Sequence, residues 1–471
     1  MDRFALRRLA VAAALAAAAS GCALAPPPTG EELRAQALPN ARVPAHWAAG
    51  PVGQGEVEVG WLTSFHDAAL DQLVSEAIAN NPDLRVAAAR VEAAEASARA
   101  AGAALYPQVN VAGHGGGKMG GDNTGLEVFG LFASWEIDVW GRVRASRAAA
   151  AAQYESAALD ARYARESIAA LVAKSWFLAR AAEAQQALAT SSVVSAESLA
   201  ALARDRQRVG KADELEVAQA EASTLSYRDL VLQADIARRN ALRAIEILAG
   251  RYPSATVDAG GTLPALPGLV PAGLPSQLLE RRPDVQAAER RVAAAFYRTE
   301  EAKAARLPRI SLTGGVNSVS SDLLVLKERD NPTWSAGATL LAPIFTGGAL
   351  QAQVDASTAD QKAALADYGR IGARAFDEVE GALSSSFNLE RRSEVLARAV
   401  QANERALGLA RVRYDVGSAD QRAVQQQQLA LYAARAALLR VQADSLAQRV
   451  NLYLALGGSF EMLPPEEPEK P

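Results

Sequence analysis

The sequence predicts a mainly α-helical chain that contributes strands to a membrane β-barrel and is built from two structural repeats. Three observations predict this. The stretch from Arg142 to Val209 contains neither Gly nor Pro. A plan of helix, strand, strand, long helix and helix is written twice, at an offset that drifts from about 201 to about 207 residues. Four runs alternate apolar and other residues with period two, each about as long as a tilted membrane strand needs.

The 471-residue chain is long enough for two or three domains. Ala supplies much of its apolar content and with Leu, Arg, Glu and Gln favours helix. The net charge is −4, with both signs mixed along the chain. No basic block marks a nucleic-acid surface.

Residues 1–21 have the pattern of an export signal. Arg3, Arg7 and Arg8 open it, and Leu9 to Ala19 form an apolar core too short to span a membrane. Ser20-Gly21-Cys22 follows, and Cys22 is the only cysteine. A lone cysteine cannot form an internal disulfide. The pattern reads as a bacterial lipoprotein cut before Cys22 and lipidated on its sulfur, although Ala19 stands where Leu is usual. The rival is cleavage after Ala23-Leu24-Ala25, which would leave Pro26 just past the cut. Several acyl chains on one residue hold a protein firmly to a membrane. Ala23, in place of Asp, points to sorting to the outer membrane. Residues 22–60 follow as a Pro- and Gly-rich extended linker.

The first repeat is placed at 61–250, the second at 277–458. Asn81-Pro82-Asp83 opens a helix that stops at Pro107, and Arg282-Pro283-Asp284 opens its counterpart, which stops at Pro308. Pro at the first helical position forfeits no hydrogen bond, and the acidic residue after it suits the helix dipole. Strands are expected at about 108–118 and 127–139, then at about 309–319 and 333–344. The polar, Gly-rich or charged linkers at 116–125 and 319–332 suit exposed hairpin loops. The long Gly- and Pro-free stretch would span roughly 100 Å as a helix, a length that points to a coiled coil or helical repeat. Its second copy, from about Leu350 to Arg413, carries Gly369, Gly372, Gly381 and Gly408 and is expected to be less regular. Residues 251–276 form a Pro-rich connector, and residues 459–471 a disordered tail.

Phe129, Leu131, Ala133, Trp135, Ile137 and Val139 share one strand face. Trp334, Ala336, Ala338, Leu340, Ala342 and Ile344 share another. A small soluble sheet with one buried face would show the same alternation. Four strands cannot close a barrel, however, and open edges are not tolerated in lipid. A spanning barrel therefore needs several chains. Two would give eight strands, whose interior side chains fill; three would give twelve, enough for a water-filled lumen.

The segments Trp61-Leu62 through Asn81-Pro82-Asp83-Leu84-Arg85, and Glu280-Arg281-Arg282-Pro283-Asp284-Val285 through Ala304-Ala305-Arg306-Leu307-Pro308, resemble the TolC-like outer-membrane factors of the NodT efflux-lipoprotein type. Val209-Gly210-Lys211-Ala212-Asp213 and Tyr414-Asp415-Val416-Gly417 add to the resemblance, which covers nearly the whole mature chain. It implies a homotrimer with one 12-stranded β-barrel in the outer membrane on a long periplasmic α-helical barrel. It also implies a tripartite efflux pump, with a periplasmic adaptor protein and an inner-membrane transporter of RND type. The adaptor would meet the turns at Val209, Gly210 and Asp213 and at Val416, Gly417 and Asp420. The same residues suit a plainer role: each Gly as a helix C-cap, each Asp as the N-cap of the next helix. Tyr414 matches a tyrosine of the family's polar gate, with Arg422 and Gln426 beside it as candidates. Relatives usually have Leu where Arg422 stands and Asp where Gln426 stands, so a ring of three carboxylates is absent here.

Catalytic constellations are scarce. His46, His66 and His114 show no metal-ligand spacing. Gly113 to Met119 lacks the spacing and hydroxyl residue of a phosphate loop. The expected function is passive export with no chemistry, and no cofactor is expected beyond covalent lipid on Cys22. A different class, a lipid-anchored periplasmic coiled-coil scaffold, would use the same helices and anchor but leave the paired strands unexplained.

Overall fold

Runs rich in Ala, Arg, Glu and Leu without Pro propagate as helix, and here they do so at length. The computed structural model describes residues 25–53, 55–57, 59–114, 127–320 and 332–461. The export signal, Cys22, most of both hairpin loops and the tail from 462 lie outside the described residues.

The first repeat contains α2 (Ala68–Asn80), α3 (Pro82–Ala103), β1 (Gln108–His114), β2 (Glu127–Ile137), α4 (Arg142–Arg208) and α5 (Glu214–Leu248). The second contains α6 (Pro283–Ala304), β3 (Arg309–Ser320), β4 (Pro332–Leu341), α7 (Ala349–Asp415) and α8 (Gln421–Ala455). The repeats match in helix length: α3 and α6 have 22 residues each, α4 and α7 have 67, and α5 and α8 have 35.

The equality of α4 and α7 corrects one expectation. The four glycines leave α7 a single helix. Gly369 has a reason to be there: a Cβ would stand 2.7 Å from the carbonyl oxygen of Ala37. That carbonyl ends α1 (Gly30–Ala37), which sits in the segment expected to be extended. A capping box makes this helix. Thr29 N–H donates to Glu32 Oε2 at 2.8 Å, and Glu32 N–H donates to Thr29 Oγ1 at 3.4 Å.

Strand ends also differ from the alternation. β2 stops at Ile137 because the Asp138 carboxylate caps α4, accepting from the amides of Val143 (3.1 Å) and Arg144 (2.8 Å). β4 stops at Leu341, two residues before Pro343, which has no N–H to give a ladder. Val139 and Ile344 therefore lie outside the strands.

The chain divides into two compact units. One comprises Met1–Ala41, Ala88–Asp160 and Asp284–Ile371; the other comprises Arg42–Ala87, Ala161–Pro283 and Gly372–Pro471. The first holds the sheet and an Ala-rich helix contact among Ala152, Ala293 and Ala294.

The second unit holds the aromatic core. Trp61 stacks on Tyr453 with ring centroids 5.6 Å apart, and Phe65 meets Phe177 at 5.0 Å. Fully burying each such ring stabilises by about 1.5–3 kcal/mol. Asp67 caps α2, accepts from Trp176 Nε1 at 2.8 Å and pairs with Arg180 at 2.9 Å. The connector is clamped by buried Glu246, which accepts from the amides of Ala255 (2.6 Å), Thr256 (2.7 Å) and Val257 (3.3 Å). Burial raises the Glu246 pKa, but these donors together outweigh it and hold the carboxyl below the ordinary glutamate value. Residues 459–461 belong to this unit and correct the expected start of a disordered tail. Ser459 accepts from Gly60 N–H at 2.8 Å, Phe460 N–H donates to Glu166 at 3.0 Å, and Glu461 pairs with Arg165.

Candidate channel wall and helical tip

β1 to β4 form one antiparallel sheet in chain order, so β1 and β4 are both edges. Ladder register puts Val111 opposite Leu131, Leu131 opposite Val316, and Val316 opposite Trp334. By alternation the same face carries Val109, Phe129, Trp135, Ile310, Leu312 and Leu340. These apolar side chains are not covered: Trp334 is 80% exposed and Val316 61%. Water does not tolerate a contiguous apolar face of this kind, whereas lipid does.

The opposite face presents Asn110, Ser134, Ser311, Thr313, Ser335 and Thr339. Its one large apolar ring, Phe132, lies across the sheet 3.2 Å from where a Cβ on Gly315 would be. Glu136, on the same face, is held by Arg142 through two bonds of 3.0 and 2.8 Å. The described face is therefore mostly small and hydroxyl-rich, with exposed Arg309 and Leu341 at its margin. Trp135 Nε1 donates to the Leu105 carbonyl at 2.9 Å, and Trp140 Nε1 to the Pro308 carbonyl at 2.7 Å. These bonds tie the sheet's lower margin to the helix–strand junctions.

The second unit contains both helical turns. α4 ends in a Schellman motif: Lys211 N–H donates to Arg206 O at 2.8 Å, and Gly210 N–H to Gln207 O at 2.9 Å. α7 ends identically, with Ser418 N–H to Arg413 O at 2.8 Å and Gly417 N–H to Tyr414 O at 2.9 Å. The motif needs positive φ, which Gly210 (78°) and Gly417 (76°) adopt without steric cost. Asp213 caps α5 by accepting from Glu216 N–H at 2.8 Å, and Asp420 caps α8 by accepting from Ala423 N–H at 3.0 Å. Val209 and Val416 stand exposed beside the turns.

Tyr414 packs against the cluster of Leu407, Val424 and Leu431, with the Arg206 guanidinium 5.1 Å from its ring centre. Arg422 is exposed and donates from Nε to Gln219 Oε1 at 3.3 Å. Gln426 is exposed one turn further along α8. Thus Tyr414 is engaged across α4 and α7, Arg422 across α5 and α8, and Gln426 stands apart.

Sequence reasoning missed several residues that hold this region. Arg228 pairs with Glu197 at 2.7 Å, and Arg435 with Glu404 at 2.6 Å. Both pairs close their hairpin across 31 positions and are offset by 207, a signal present in the doubling. Gln421 is fully buried, donating to Leu199 O at 2.7 Å. Tyr227 meets Tyr432 edge-on at 5.5 Å, and burial together with that neighbour pushes its phenol up to about 12. Among the described residues, no helix is long and apolar enough to cross a membrane, and no cluster of His, Cys, Asp or Glu could hold a metal ion.

A sheet with one lipid-compatible face, one polar face and two open edges defines the wall of a barrel assembled from several chains. The chain belongs to the outer membrane efflux protein family, whose model matches residues 73–251 and 274–458. It is 31% identical over 461 residues to the cation efflux system protein CusC of Escherichia coli O6:H1, covering 95% of this chain and 98% of that one. It is 32% identical over 447 residues to the probable efflux pump outer membrane protein TtgC of Pseudomonas putida, covering 90% and 91%. Among solved structures, the outer-membrane channel OprN matches with a TM-score of 0.83 at 28% identity, over 90% of this chain and 99% of that one. The open-state MtrE channel of Neisseria gonorrhoeae matches with a TM-score of 0.80 at 27% identity, over 93% and 98%. The chain is an outer-membrane efflux channel subunit with the fold of the trimeric channels.

Proposed function

We propose that this protein is the lipid-anchored exit duct of a tripartite efflux pump. Three copies contribute twelve strands to one barrel, and three lipidated Cys22 residues tether it to the outer membrane. The protein does no chemistry; cargo passes when the helical tip dilates and leaves through the barrel. The turns at Val209, Gly210 and Asp213 and at Val416, Gly417 and Asp420 receive a periplasmic adaptor, which links the duct to an inner-membrane transporter of RND type. Tyr414, Arg422 and Gln426 belong to the gate, a two-state element that adaptor binding biases toward open. One observation carries the reading: an apolar, uncovered sheet face backed by a polar one, with both edges unpaired. The scaffold alternative leaves that sheet without a purpose. Relatives are named for exporting cations, toluene, antibiotics and pyoverdine, so kinship alone does not choose the cargo.

Native mass spectrometry of the protein extracted from outer-membrane fractions tests this reading. The expected result is three chains, each starting at Cys22 and carrying lipid mass. Recovery as a monomer from soluble or inner-membrane fractions would overturn it.

A further inference from the structure

The two hairpins match in length, in caps and in one cross-hairpin ion pair each, Arg228–Glu197 and Arg435–Glu404, but not in charge: the Arg204–Glu221 pair of the first is replaced by Arg411 and Gln428 in the second. Over residues 204–221 the first turn carries Arg204, Arg206, Arg208 and Lys211 against five carboxylates. The equivalent residues 411–428 carry Arg411, Arg413 and Arg422 against only Asp415 and Asp420. At the offset of 207, Glu214, Glu216 and Glu221 of α5 become Gln421, Ala423 and Gln428 in α8, and Leu215 becomes Arg422. No carboxylate occurs on α8 before Asp444, whereas the corresponding part of α5 carries five.

The exposed stripe of α8 contains Arg422, Gln426, Leu429 and Arg440, which recur near one helical phase. The ion pair on this stretch of α8 uses Arg435 and leaves the stripe's cations alone. Arg422 meets the neutral Gln219 amide, not an acid.

We propose that this stripe lines the periplasmic constriction and makes it prefer anions, so that the duct serves organic anions rather than cations. The proposal rests on the duct reading. In a trimer three Arg422 guanidinia face one narrow opening, with Asp420 engaged as the α8 cap and no further carboxylate on α8 before Asp444. Like charges around a constricted aqueous path raise the local concentration of the opposite ion and repel its counterpart. The hydroxyl-rich wall of the barrel, with Arg309 at its margin and Glu136 paired to Arg142, does nothing to reverse this preference.

The test is single-channel recording of the purified full-length trimer in a planar bilayer under a tenfold potassium chloride gradient. The reversal potential should carry the sign of chloride preference. Arg422→Lys should keep that sign, Arg422→Gln should move the potential toward zero, and Arg422→Glu should invert it. A potassium-preferring wild type, or an Arg422→Glu channel with an unchanged reversal potential, would overturn the proposal and leave the duct standing. A correctly assembled, SDS-resistant trimer with no conductance either alone or with the adaptor bound would overturn the duct reading and the proposal with it.

Discussion

Asp213 and Asp420 join two roles that mutation can separate, capping a helix and presenting charge. Each carboxylate accepts from the amide three residues on, at 2.8 Å from Glu216 and 3.0 Å from Ala423. Asn makes the same bond without charge; Ala makes no such bond. Ala at a cap costs about 1 kcal/mol and Asn almost nothing. Local opening is read by hydrogen exchange, where about 1 kcal/mol is a factor of about five. The amide three residues after the cap should therefore exchange about fivefold faster in the Ala variant and within about twofold of wild type in the Asn variant.

Docking reports the charge separately. Both aspartates are exposed, so one ion pair to an adaptor contributes about 0.5 kcal/mol at low salt. Repeated three times around a symmetric trimer, that becomes about 1.5 kcal/mol, or roughly tenfold in affinity. The prediction is that Asp213→Asn and Asp420→Asn each weaken adaptor binding about tenfold with normal exchange at the caps. The loss should shrink as salt rises. Surface plasmon resonance of the trimer against the adaptor, at two ionic strengths, measures it. If both Asn variants bind as tightly as wild type, the aspartates are caps and the charge argument is wrong.

Three further outcomes follow from the packing. The depressed Glu246 pKa means the clamp contributes stability above the unfolded value near 4.5 and loses it as pH falls through the folded value. The Ala255–Val257 amides should lose exchange protection on acidification, and Glu246→Gln should abolish that pH dependence. Gly369→Val should drive the Ala37 carbonyl off α7 and expose Arg34 to trypsin, whereas Gly381→Ala, which meets nothing within 4 Å, should stabilise α7 locally by about 1 kcal/mol in hydrogen exchange. On the sheet, Val316→Arg should cost about 2–4 kcal/mol and reduce the SDS-resistant trimer, while Thr313→Arg on the opposite face should leave trimer yield intact and change conductance.

What could be read from the sequence was whatever depends on local pattern. Pro-Asp starts, Gly- and Pro-free runs and period-two alternation specify α3, α6, α4 and the four strands because propensity and periodicity suffice. The Val-Gly turns were legible because a Schellman motif demands positive φ. Contacts between distant segments were not legible. α1 was missed although Thr29 and Glu32 spell a capping box, because eight residues in a Pro-rich linker form a helix only when docked. The glycines of α7 read as irregularity because Gly369's reason lies 332 positions away at Ala37. Tyr414 was placed at the gate, but its partner Arg206 comes from the other repeat.

The doubling itself explains which differences matter. Asn81 and Arg282 each precede the proline that opens a 22-residue helix, and each is buried. Asn81 donates to Leu248 O at 2.9 Å and Arg282 to Ala455 O at 3.1 Å, so each locks a return helix's last turn to the next helix start. Conserving this joint while changing its residue type shows that the bond, not the side chain, is what the geometry needs. Arg282 uses its extra reach to pair with Glu378 at 2.6 Å, a bond for which Asn81 is too short. Two further asymmetries have no such joint to serve. Glu380 holds the amides of Ala48 (3.0 Å) and Ala49 (2.8 Å), and its equivalent in the first repeat is Ala173, whose side chain has no acceptor. The carboxylates of α5 give way to amides and Arg422 in α8 while both caps and the Arg228–Glu197 and Arg435–Glu404 pairs stay in place and the Arg204–Glu221 pair has no counterpart. Gln421 and Gln428 are buried, and Gln421 bonds the Leu199 carbonyl, so those changes serve packing; the exposed change from Leu215 to Arg422 removes no bond of the hairpin. It changes what the exposed surface of α8 attracts, and Arg422→Glu is the variant that isolates that effect.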